Sequence, residues 1–132
     1  MTLVLNGQIR GGKNNVQITR TGHRYPNPTF AKWRDEAVRQ IREQVINAIR
    51  RPGKTMTALA ATEPFITRCE AAIDYTPGDL KTRDVPAMMD AIWSVLVKAG
   101  VIADDGLIRN VTWREHPLDR KGPMVSITLR KL

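Results

Sequence analysis

Four aspartates in the second half of the chain are the residues best suited to chemistry. Asp84 stands just before a stretch, about 86–99, whose apolar spacing predicts a helix; Asp90 falls in its first two turns, and Asp104–Asp105 form an acidic turn beyond it. Between Pro86 and Ala99 the only ionisable residues are Asp90 and Lys98, so the carboxylates stand against an apolar background. Carboxylate oxygens are hard ligands for a hard cation. Mg²⁺, or Mn²⁺ in its place, held by Asp84, Asp90, Asp104 and Asp105 would activate water against a phosphodiester and stabilise the leaving oxygen. Each aspartate also has a structural explanation. Asp84 and Asp90 suit the positive end of a helix, and Asp104-Asp105-Gly106 is favourable turn chemistry. Spacing alone does not choose between these readings.

Other constellations are weaker. PGKT at 52–55 has the ending of a phosphate-binding loop, but Ala48 stands where that loop needs a glycine, and a helix precedes it instead of a strand. His23 and His116 lie in polar stretches, with nothing in the sequence to set either beside Cys69 or a serine. One cysteine excludes an internal disulfide, and with two histidines it leaves no ordinary zinc set.

The charge distribution gives the aspartates a context. The net charge is +8, and residues 1–54 account for all of it, with 11 Lys/Arg against 3 acids, whereas residues 55–132 carry 10 of each. A basic half beside an acidic patch points to a polyanionic partner, nucleic acid first; a solvated basic face is the plain alternative. The chain of 132 residues fits one domain, and 42% hydrophobic with 26% charged residues is a globular composition. No apolar run reaches the ~18–20 residues of a membrane span, and the first residues lack the order of a signal peptide, so a cytoplasmic location is expected.

These residues must be positioned by a small set of elements. Alternation predicts a strand over 2–9, followed by a long polar, glycine-rich stretch holding Lys13, Asn14, Asn15, Arg20 and Arg24. Phe30, Trp33, Ala37, Val38, Ile41, Val45, Ala48 and Ile49 predict a helix over 29–51, with Lys32, Arg34, Arg39, Arg42 and Arg50 on its other faces and Pro52-Gly53 as its stop. Residues 65–75 alternate as a half-buried strand with Cys69 on the packed side, and two closing strands are expected at about 107–114 and 124–131, joined by a turn around HPLDRKGP. The order β, loop, α, β, α, β, β predicts a single α+β domain: a mixed or antiparallel sheet with two main helices packed on it.

The string KTRDVPAMMDAIWSVLVKAGVIADDGLI resembles the RusA-like family of Holliday junction resolvases, small endonucleases typical of bacteriophages and prophages. Arg83-Asp84, Lys98-Ala99-Gly100 and Asp104-Asp105 fall in the family's order without a gap, and Asn14-Asn15 and Trp33-Arg34 are similar to family features. Pro86 and Ala87 depart from it, standing where the family has an aspartate and an asparagine, and Asp90 stands where it has a lysine. The resemblance implies a Mg²⁺-dependent homodimer acting on branched DNA in a bacterial cell, with no small-molecule cofactor and no membrane. A near two-fold junction needs two matched nicks, which a symmetric dimer supplies. On this reading Asp90 replaces the carboxylate lost at Pro86, giving a site of Asp84, Asp90 and Asp105 supported by Asp104. The lysine's role passes to Lys81 or Arg83, and Lys13, Asn14, Asn15, Arg20, Arg24, Lys32, Arg34 and Arg83 grip DNA. The apolar surface of Met88, Met89, Ile92, Trp93, Val95 and Leu96 is divided between core and dimer interface. Two rivals stay open: a DNA-binding protein that kept the fold and lost the site, for which Pro86 and Ala87 speak, and an RNA-binding module, against which the sparse aromatics count.

Overall fold

Period-two alternation builds the sheet. In the computed structural model, which describes residues 1–10, 16–18, 20–26, 28–49, 64–65 and 67–132, the elements run β1 (Thr2–Asn6), β2 (Val16–Ile18), β3 (Arg24–Pro26), α1 (Pro28–Ile49), β4 (Cys69–Thr76), α2 (Val85–Lys98), a 3₁₀ turn (Asp105–Leu107), β5 (Ile108–Glu115) and β6 (Met124–Lys131). Four strands form one mixed sheet in the order β1-β6-β4-β5; β6 runs antiparallel to both its neighbours and β5 parallel to β4. Among the described residues two helices pack on a mixed sheet, which is the expected α+β architecture. Lys13, Asn14, Asn15 and the PGKT segment lie outside the described residues.

One sheet face is the core. Leu3 and Leu5 of β1, Cys69, Ala71, Ile73 and Tyr75 of β4, and Val125, Ile127 and Leu129 of β6 are buried against Ala37, Val38 and Ile41 of α1 and Met88, Ala91, Ile92, Trp93, Val95 and Leu96 of α2. The apolar surface of α2 that the sequence divides between core and interface is thus almost all core; only Met89 is partly buried at its margin. Burial also pushes the Cys69 thiol pKa up, so this cysteine is a packed apolar group and not a nucleophile.

Three details depart from the sequence expectations. The first strand stops at Asn6, where Gly7 turns the chain with φ +95° and donates its N–H to Pro123 O (2.8 Å). The stretch read as a polar loop contains a two-stranded ribbon, Gln17 opposite Tyr25. The closing strands, joined by what the sequence reads as a turn, do not pair with each other, because β4 lies between them; the 116–123 connection is tied to the end of β4 by His116 N–H to Tyr75 O (2.8 Å) and Asp119 N–H to Pro77 O (2.9 Å).

Helix α1 lies along the free edge of β1. The Gln44 side-chain amide accepts from Val4 N–H (2.7 Å) and donates to Val4 O (2.6 Å), and Gln40 Oε1 accepts from Asn6 N–H (2.9 Å). These amides satisfy the backbone groups an edge strand would otherwise expose. They fix α1 relative to the sheet.

Candidate functional site: an acidic cavity beside helix α1

Helix α2 begins after Asp84, whose extended backbone (φ −73°, ψ 110°) precedes the helix and whose side chain makes no capping hydrogen bond. Pro86 occupies the first turn, where a missing N–H costs nothing. The helix ends at Ala99, and Gly100, at φ +77°, takes the left-handed step that L side chains avoid. That step returns the chain so that the turn at 104–107 faces the last turns of α2. Asp90, Ser94, Val97 and Lys98 then share one shallow cavity of about 390 Å³ with Ala103, Asp104 and Asp105. Positions 90, 94, 97 and 98 form one helical stripe, so the same periodicity that predicts the helix also marks this face. Ser94 and Lys98 were not singled out from the sequence as site residues, although the i, i+4, i+8 spacing from Asp90 carries the signal.

The carboxylates are not equivalent. Asp104 Oδ1 accepts from Gly106 N–H (2.7 Å) and caps the 3₁₀ turn, so it is partly committed to local structure. A Cβ on Gly106 would meet that oxygen at 2.9 Å, so the turn needs glycine to keep Asp104 where it is. Asp90 and Asp105 are exposed on the cavity. Asp84 is exposed at the opposite end of α2 and does not line the cavity.

Among the described residues, no three His, Cys, Asp or Glu side chains are gathered as a ready cage for a metal ion. Mg²⁺ asks for less. It keeps several waters and is held by one or two carboxylates together with substrate phosphates. Of the four aspartates, Asp90, Asp104 and Asp105 line one cavity, and Asp84 does not.

The basic residues divide. Lys98, on the cavity wall, reaches Asp35 of α1 (3.7 Å), and Arg42 of α1 donates to Lys98 O (3.1 Å), capping the carbonyl end of α2. The acidic cavity and α1, which carries Lys32, Arg34, Arg39 and Arg42 against Asp35, Glu36 and Glu43, are therefore neighbours. Lys32 is exposed on α1 beside a second hollow lined by Arg10, Trp33 and Glu36. Arg34 sits over the Phe30 ring, 6.0 Å from its centroid, with its Nε buried and without a hydrogen-bond partner among the described residues. It packs more than it projects. Arg20 and Arg24 are exposed near the β2–β3 ribbon.

Lys81 and Arg83 line a different hollow, with Tyr75, Glu115 and His116. Arg83 grips Asp79 through both terminal nitrogens (2.6 and 2.8 Å), and Asp79 also accepts from Lys81 N–H (3.0 Å). The Arg83 guanidinium holds the Asp79 carboxyl far below the usual carboxylate range. So the structure brings Asp90, Asp104 and Asp105 together with Lys98, and leaves Asp84, Lys81 and Arg83 apart from them. Among the described residues, no helix is long and apolar enough to cross a membrane. Compared with models of known families and with curated proteins, the sequence matches none.

Proposed function

We propose that this chain is a Mg²⁺-dependent, structure-selective DNA endonuclease that resolves four-way junctions as a homodimer. The observation that carries the reading is the meeting of carboxylates and cations on one surface: Asp90 and Asp105 open on the hollow whose wall, Lys98, reaches Asp35 of α1, the helix that also carries Lys32 and Arg42. A phosphodiester backbone lying along α1 would meet Lys32 and Arg42 and pass the carboxylates. Asp90 and Asp105 would hold the ion, with Asp104 keeping the turn in place and Lys98 steadying the neighbouring phosphate. The bound ion supplies an activated water and a counter-charge for the leaving oxygen. Asp84, exposed at the start of α2, is the third carboxylate to test beside them.

A second reading has its own support. Pro86, Ala87 and the distance of Asp84 from the cavity favour a protein that binds branched DNA without cutting it. One assay separates the two: a synthetic four-way junction and a linear duplex of matched sequence, each with Mg²⁺ and with EDTA. Paired symmetric nicks in the junction alone, lost in EDTA and in Asp105→Asn, support the endonuclease. Tight junction binding without a nick in either condition leaves the binding protein.

A further inference from the structure

Strand β5 is an edge. It pairs with β4 on one side, and no described strand pairs with its other side. Eight residues long and free of proline, it is also the most open strand of the sheet: Arg109, Asn110, Val111, Thr112, Arg114 and Glu115 are exposed. Val111 pairs with Ala71 and Trp113 with Ile73, both buried, so Val111 and Trp113 lie on the core-facing side of the sheet. Trp113 is partly covered by Tyr75, with ring centroids 5.5 Å apart, but Val111 remains 42% exposed. Among the described residues, the core face is thus left partly open at this edge.

An exposed edge of this length normally invites other strands and is blunted by charge. Here the charges have a particular order. In Arg109-Asn110-Val111-Thr112-Trp113-Arg114-Glu115, a two-fold axis through Thr112 sets Arg109 opposite Glu115 of a second copy, Val111 opposite Trp113, and Thr112 opposite itself. The ionic opposition and the apolar one each occur twice, Thr112 meets itself, and Asn110 faces Arg114, so no like charges are set opposite one another. Shifting the partner by two residues sets Val111 opposite Glu115 in one direction and Glu115 opposite Leu107 in the other, so among these registers only the one centred on Thr112 makes the two Arg109–Glu115 pairs.

We propose that β5 is the surface on which two copies of this chain meet, antiparallel and centred on Thr112, joining two four-stranded sheets into one of eight. The pairing deepens the two-copy part of the reading above by naming its surface, in place of the α2 face that the core consumes. One acidic cavity stands near each end of the paired strands, because Asp105 precedes Ile108 by a single 3₁₀ turn.

The test uses the full chain without DNA, so its outcome is separate from that of the cleavage assay. Sedimentation across a concentration series should show a dimer. Arg109→Glu should raise its dissociation constant about tenfold or more, since the change counts twice across the axis, and Arg109→Glu with Glu115→Arg should restore it. Under oxidation, Thr112→Cys should form a disulfide-linked dimer, because residues facing across an antiparallel pair lie within bridging distance, while Arg120→Cys in the exposed 116–123 connection should not. A monomer at every concentration, a dimer indifferent to both charge variants, or no preferential link at position 112 would each overturn the proposal.

Discussion

Gln44 offers a sharp test of how α1 is attached to the sheet. Its amide stands in for a neighbouring strand, taking Val4 N–H at 2.7 Å and giving to Val4 O at 2.6 Å. The pair is half-buried, so water replaces these bonds only in part when the side chain is removed. At about 0.5–1.5 kcal/mol net for each bond, Gln44→Ala should cost about 1–3 kcal/mol. For a chain of this length that is a fall in Tm of roughly 4–12 °C, read by circular dichroism. Arg39 is the contrast. It makes three short contacts, to Glu36 and Glu43, yet all three side chains are more than half exposed. Arg39→Ala should leave Tm within error, because water and entropy cancel exposed pairs.

Gln44→Glu sharpens the argument further. A carboxylate still accepts from Val4 N–H but faces Val4 O with a lone pair instead of a proton. The variant should be at least as destabilised as Gln44→Ala at neutral pH and should recover towards wild type in mild acid, when the carboxyl gains a proton to donate. A Gln44→Ala midpoint within about 2 °C of wild type would refute the clamp, since two half-buried bonds cannot vanish so cheaply. A Gln44→Glu protein as stable as wild type at neutral pH would refute its geometry.

Asp90→Asn and Asp105→Asn should each reduce junction cleavage about a hundredfold or more with binding unimpaired, if the cavity holds the ion; equal cutting by either variant would remove that residue from the site. Asp104→Asn should be milder, because the amide oxygen still accepts from Gly106 N–H. The acid limb of stability should depend on Asp79 and Asp74. Arg83 holds Asp79, and His116 then Arg114 hold Asp74, below their ordinary 3.8. A depressed folded pKa gives stability that is complete above the unfolded value and lost as pH falls through it towards the folded one. Urea midpoints should therefore drop below about pH 4 and drop less in Asp79→Asn. Gly100→Ala should cost about 1 kcal/mol in urea unfolding, all of it backbone strain, because a Cβ there meets nothing within 4 Å; a much larger loss would mean an unseen clash.

What the sequence makes legible is what local periodicity encodes. β6 falls at 124–131 as expected, α2 at 85–98 against an expected 86–99, and the alternation of Cys69, Ala71, Ile73 and Tyr75 marks their buried face correctly. Strand order is a different matter. Adjacent strands joined by a turn suggest a hairpin, but β4 enters between β5 and β6 through pairings to residues far along the chain, which no local pattern records. The β2–β3 ribbon escapes because its strands are three residues each and one ends in Pro26. For the candidate site, the sequence supplies the aspartates but not their grouping: Asp90 joins Asp104 and Asp105 because Gly100 reverses the chain, while Asp84, six residues before Asp90, stands at the start of the helix and off the cavity.

Strand β5, too, is hard to read before its neighbours are known. A strand buried on one face shows alternation, and a strand buried on both shows an apolar run, but IRNVTWRE shows neither, since it is exposed along most of both faces. Its order of charges means nothing on a central strand, where Arg109 and Glu115 would face other residues of the same sheet. Only an edge position lets a strand meet itself, and only then does the separation of Arg109 and Glu115 about Thr112 become a statement about a partner. The topology thus converts a sequence that looks unpatterned into one with a definite two-fold pattern, and the charge-swap pair decides whether the protein uses it.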